Sequence, residues 1–246
     1  VLDAHQNDSD LLDAFSAATL AIAAERSISQ HEAAFRLLPR LQRWTIELLC
    51  DQFAVQWLGP SFLLSLSAFL LALSWNEPLE KHPPTTLRIG HLLSYLAEAD
   101  WTSFLEEKAP QSLAWLGDVA GSETPASDPE SKFLLLAASL VAPTVRTVVD
   151  ESLDEAVYSR QEFDAVSDYI YELVACETLP VQLSSGRAID RRAILIVAWL
   201  AALEKDDAPL AFVDAPADRK TQAFFAKAIE MSAVLARWRE ISGDAP

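Results

Sequence analysis

The chain has 246 residues, 51% of them hydrophobic and 22% charged, with only 6 glycines, a composition that excludes a disordered or low-complexity chain and supplies a full apolar core. Its 36 acids against 19 bases give a formal charge of −17, which argues against a nucleic-acid backbone or an anionic membrane surface as partner. No long basic run offsets that balance.

Apolar residues recur at helical spacing along almost the whole chain, and no alternating β-branched stretch with hairpin turns competes, so the sequence predicts an all-α, multi-helix bundle. In chain order, helices are expected over about 9–25, 28–38, 41–58, 60–75, 85–98, 101–107, 110–117, 131–149, 152–157, 160–176, 190–204 and 218–241. Pro39 is expected to separate the second from the third, because proline lacks the amide donor that a helix interior uses, and Pro143 to kink the helix that contains it.

The 41–58 helix, within RWTIELLCDQFAVQWLGP, carries the most informative residues. At about 100° per residue, Thr45, Gln52 and Gln56 share one face while Glu47 and Asp51 lie opposite among Ala54 and Leu58, so both acids are expected to point inward. An inward carboxylate requires a cation, a metal or a dense set of donors, since an unpaired one is costly or takes up a proton. Arg43, Glu47 and Asp51 are spaced four apart, which brings a guanidinium and two carboxylates to one side. Two readings stay open: an intrahelical ion pair with one acid satisfied elsewhere, or a metal site with Glu47 as ligand and Asp51 orienting a metal-bound His.

Gly59 and Pro60 mark the start of the next helix, an apolar one of about 15 residues, whose length of about 22 Å falls short of a bilayer core of about 30 Å. With Ser61, Ser65, Ser67 and Ser74 in it, a core helix is expected there and not a membrane span. In KHPPTTLRIGHLLSYL, residues 81–96, Thr85 or Thr86 can cap a helix, and Pro83 and Pro84 hold its approach extended. Arg88 and His91 then share a face, and the Arg88 fork suits Glu47 or Asp51 as counter-ion. His82 precedes the helix, placed to reach into a cleft.

The polar segment GDVAGSETPASDPES divides the chain into an N-terminal helical unit (1–117) carrying the inward acids, a linker (118–130) and a C-terminal helical bundle (131–246). A second connection is expected over 204–220. Cys50 and Cys176 lie in apolar helical stretches without a CxxC neighbour, so they read as buried structural thiols in a reducing, cytoplasmic setting. The chain opens at Val1 with neither a methionine nor a signal-peptide pattern, which points to an excerpt of a longer polypeptide.

Glu-x-x-x-Asp on an apolar helix, Gly-Pro with a second apolar helix, then His-Pro-Pro-x-x-x-Arg-Ile, resembles the downstream half of gluzincin-type zinc metallopeptidases, the group containing the CAAX prenyl endopeptidases. It is more similar still to uncharacterised bacterial proteins that carry a W-x-x-E-L-x-x-D helix after an HExxH helix. The matching residues are Trp44, Glu47, Leu48, Asp51, Gly59, Pro60, His82, Pro83, Pro84, Arg88 and Ile89. The later segments IDRRAILIVAWLAALE and FFAKAIEMSAVLARWRE extend the similarity over most of the chain.

What the resemblance implies is a zinc ion with Glu47 as third protein ligand, Asp51 behind a metal-bound His, and His82 or Arg88 at the scissile peptide. The chain departs from that pattern, because a zincin needs two His one turn apart with an intervening Glu. Its histidines are His5, His31, His82 and His91, none with another four residues away, and His31-Glu32-Ala33-Ala34-Phe35 ends on an apolar ring. Zinc is therefore expected only with an HExxH upstream of Val1, and otherwise no cofactor. The reading is a helical portion of a metallopeptidase-like hydrolase, not competent alone, with a peptide, a protein or an upstream segment as partner. The alternative is a non-catalytic interaction or regulatory module, a pseudo-enzyme whose acidic surface meets a partner protein.

Overall fold

In a computed structural model that describes residues 2–72, 82–122, 126, 128–153, 157–204 and 219–242, the chain forms ten α-helices and, among those residues, no β-strand. They are α1 (Leu2–Arg26), α2 (Gln30–Leu58), α3 (Pro60–Ala72), α4 (Thr85–Glu98), α5 (Thr102–Lys108), α6 (Pro110–Gly121), α7 (Pro129–Leu153), α8 (Arg160–Ala175), α9 (Arg191–Glu204) and α10 (Arg219–Ser242). This is the all-α multi-helix bundle that the periodicity predicts. Of the expected helix 152–157, Ser152 and Leu153 end α7 and residues 154–156 lie outside the described residues. The end of the 60–75 helix and the interior of the 204–220 connection also lie outside them.

Pro39 does not separate two helices: α2 runs unbroken through it for 29 residues. The missing amide costs the Phe35 carbonyl its partner, but Phe35 and Pro39 are both exposed, on a side that water can reach. On the opposite side Ala33, Leu37, Trp44 and Leu48 form one buried stripe that crosses the proline and holds both halves to the same core. Pro143 is likewise exposed inside an unbroken α7. By contrast α2 does stop at Gly59, whose φ of 62° is left-handed and whose added Cβ would stand 3.4 Å from Trp101. Pro60, which has no amide to leave unpaired, then starts α3.

The helices group into two compact units, one of residues 1–56, 74–92 and 117–157, the other of 57–73, 93–116 and 158–246. The units interleave along the chain, where the sequence reading draws one boundary at 118–130. Part of that expected linker is helical, since α6 continues to Gly121 and α7 begins at Pro129.

In the first unit α1 packs along α7, and Ala18 and Ile22 join Phe133, Leu134, Ala137 and Ala138 over the buried stripe of α2. Each buried aliphatic or aromatic side chain contributes about 1.5–3 kcal/mol. The buried Glu130 carboxylate is bracketed by Arg26 at 3.0 Å and Arg40 at 2.5 Å, which ties the start of α7 to the end of α1 and to the first half of α2. Among the described residues α7 is the one helix long and apolar enough to cross a membrane by length and composition, with a mean hydropathy of 1.6 over an 18-residue stretch of it. Its Phe133, Leu134, Ala137, Ala138, Val145 and Val149 are buried within this unit.

In the second unit α9 is the hub, with Ala193, Ile194, Ile196, Val197 and Leu200 fully buried and contacts to α3, α8 and α10. Trp101, Phe104 and Phe163 stack beside it at ring separations of 5.1–5.8 Å. Ser159 and Glu162 close a reciprocal cap at the start of α8. Both cysteines are exposed, against the expectation of buried thiols. Cys50 lies on the outer side of α2 between Ile46 and Phe53, and Cys176 ends α8 just before the left-handed turn at Glu177.

Pro39→Ala should stabilise the protein by about 1–3 kcal/mol, because the regained Phe35 hydrogen bond and relieved ring clash outweigh the freedom returned to the unfolded chain. Urea unfolding followed by helical circular dichroism checks this, and a lowered midpoint would contradict it.

Candidate functional site

The site that the sequence singles out assembles within the first unit. From α4, Arg88 reaches Asp51 on α2, its Nε and Nη2 donating to Oδ2 and Oδ1, each at 2.7 Å. This is the two-point fork that guanidinium and carboxylate geometry favours. Arg88 Nη1 also stands 3.5 Å from Glu47 Oε2, while the other Glu47 oxygen is hydrogen-bonded to His82 Nδ1 just ahead of α4. Thus Glu47, Asp51, His82 and Arg88, brought together from separate segments, form one network.

The inward direction of the acids differs in degree. Asp51 is 3% exposed, whereas the Glu47 side chain keeps 24% of its surface and His82 36%. Gln52 and Gln56, expected on the opposite and outer face, are fully buried, so that this stretch of α2 is enclosed over a wide arc. Gln56 donates to Asp150 of α7 at 2.6 Å, and neither amide atom of Gln52 meets a hydrogen-bond partner among the described residues. Arg43, one turn before Glu47, is exposed, and the fork on Asp51 comes from α4 and not from α2 itself.

Charge in this layer is arranged around Arg88. Burial alone opposes its charge, but the Asp51 hydrogen bonds and the Asp51 and Glu47 carboxylates outweigh that, and the guanidinium is held above its usual range. His91, one turn further along α4, moves the other way. Burial and then the charge of Arg146 push it below the usual imidazole value, with Asp51 opposing, and its buried Nε2 meets no hydrogen-bond partner among the described residues.

Zinc would require Glu47 to present a carboxylate oxygen where further nitrogen, sulfur or oxygen ligands converge. Both Glu47 oxygens face cationic or donor groups, both Asp51 oxygens are on Arg88, and a guanidinium at 3.5 Å occupies the electrostatic position of a metal cation. Among the described residues no three His, Cys, Asp or Glu side chains gather around one point. In this arrangement Glu47 and Asp51 are placed as ion-pair and hydrogen-bond partners of Arg88 and His82. His31 stacks edge-on against Phe35 at 4.8 Å and Glu32 pairs with Arg36, so the HExxH-like string makes local surface contacts.

Sequence reasoning passed over two features of the second unit. Arg192 forks onto Asp190 at 2.7 Å while lying 4.3 Å from the centre of the Tyr158 ring. The Asp190 side chain also accepts from the Arg192 backbone amide at 2.8 Å, capping α9, a signal readable in the string IDRR. A cleft of about 870 Å³ opens between α8 and α10, with Leu173, Val181, Val234 and Trp238 in its walls and Lys227 and Glu230 paired across 2.9 Å. It draws residues from distant segments, so no local motif marks it.

Fold and site define an all-α protein with a buried, mutually satisfied ion-pair layer. Comparison with protein-family models, curated proteins and solved structures finds no match for the chain, and the metallopeptidase resemblance rests on the quoted residues alone.

Because folding depresses His91, the unfolded chain takes up that proton first as pH falls. The stabilisation is complete above about pH 6.5 and is lost as pH drops toward the folded value. Unfolding free energy should therefore decline from about pH 7.5 to 5.5, and less steeply in His91→Gln. Equal slopes in the two proteins would contradict this.

Proposed function

We propose that the chain is a non-catalytic helical interaction module, in which Glu47, Asp51, His82 and Arg88 act as a clamp between α2 and α4 and not as a reaction centre. The observation that carries this reading is the two-point Arg88–Asp51 fork, buried and with both Asp51 oxygens engaged. A reacting group has to meet a substrate, and Asp51 has neither a free oxygen nor access. The outer side of α2 has the opposite character, with large apolar side chains exposed along it, as a binding surface requires.

The second reading is that an HExxH-bearing segment outside this chain completes a zinc peptidase. What supports it is the meeting of Glu47 and His82 at a half-exposed edge of the network. Glu47 would have to exchange both of its present partners for the metal.

Zinc content of the purified chain and of the product of the complete reading frame, each compared with Glu47→Gln, separates the two. The module reading expects no stoichiometric zinc in any form and a loss of stability in Glu47→Gln. Stoichiometric zinc that Glu47→Gln removes would overturn it in favour of the peptidase.

A further inference from the structure

The outer side of α2 carries Phe35, Leu38, Ile46 and Phe53, each between 44% and 67% exposed, spaced so that all fall on one stripe of the helix. The stripe is about 27 Å long at the helical rise. Arg36 and Arg43, seven residues apart, line one edge of it, with Glu32 paired to Arg36. Because Glu32 offsets Arg36, the exposed Arg43 is the cation of this edge that an acidic counterpart would meet.

That counterpart is present on α1 of the same unit. Leu12 and Leu20 are 67% and 58% exposed, eight residues apart, the same spacing as Leu38 and Ile46. The exposed charges near Leu12 are acidic, Asp10 and Asp13, while Glu25 and Arg26 lie at the far end and Arg26 is engaged by Glu130. Laid antiparallel, Leu12 meets Ile46 and Leu20 meets Leu38. Asp13 then falls within a turn of Arg43 and on the same edge of the seam, since both are displaced in the same sense from their apolar stripes.

We propose that the chain self-associates, α1 of one copy lying antiparallel on α2 of another, with Asp13–Arg43 pairs setting the register. A twofold operator makes the contact twice and closes the assembly as a dimer. This names the partner for the interaction-module reading and rests on it. A monomer would remove the self-association alone, because the module reading falls separately, on zinc.

The test is mass by sedimentation equilibrium across micromolar concentrations, on the whole chain. The wild type should weigh twice 27.1 kDa. Ile46→Glu should give a monomer with unchanged helical content, Arg43→Glu should weaken association by about tenfold, and Asp13→Arg combined with Arg43→Glu should restore it. A wild-type monomer, a dimer indifferent to Ile46→Glu, or a charge-swapped pair no tighter than Arg43→Glu would each overturn the proposal.

Discussion

Asp51 sits on the part of α2 that the rest of the first unit encloses, and a carboxylate there is tolerable only with a cation in fixed contact. Arg88 supplies it from α4, with two hydrogen bonds of 2.7 Å. Much else follows from this constraint. The fork joins α4 to α2, in the same layer where His82, just ahead of α4, meets Glu47 and where His91 feels the charge of Arg146 on α7. An apolar pair at Asp51 and Arg88 could fill the same volume, but it would not specify one register of α4 on α2 as a two-point fork does.

The same geometry makes α2 a helix with two different sides. Inward, it carries Trp44, Leu48, Asp51, Gln52, Val55 and Gln56. Outward, it exposes Phe35, Leu38, Ile46 and Phe53. The inner polar groups are engaged in holding neighbours together, whereas the outer apolar groups have no comparable cover within the described residues of their unit. On the interaction-module proposal, binding falls to the outer side and the inner residues, which draw the eye in the sequence, serve the architecture.

Much of the fold is legible in the sequence because helical periodicity is local: the expected 85–98 helix is α4 from end to end, and several others match within a residue or two. Proline was the weaker guide, since whether Pro39 breaks a helix depends on the stripe from Ala33 to Leu48 that packs beneath it, which is a tertiary property. The meeting of Arg88 with Asp51 could be read from charge and burial alone, as an inward acid needs a partner and α4 offers a forked one. A single helical wheel puts Gln52 and Gln56 outside because it assumes one buried side, whereas this stretch of α2 is covered on more than one. The exposed thiols follow from the same error, as an apolar neighbourhood in sequence, such as that around Cys50, can be the outer stripe. The cleft beside Trp238 and the layer with Arg146 join residues remote in sequence, and no spacing rule reaches them.

The measurement that bears most directly on this account is a double-mutant cycle for Asp51→Asn and Arg88→Met by equilibrium unfolding. If the fork organises the first unit, each single change should cost about 3–5 kcal/mol, as a buried charge loses its partner. The double variant should cost less than the sum of the two by about 2 kcal/mol or more. Single costs below about 1 kcal/mol with no coupling between the sites would contradict the claim that this ion pair holds α4 on α2.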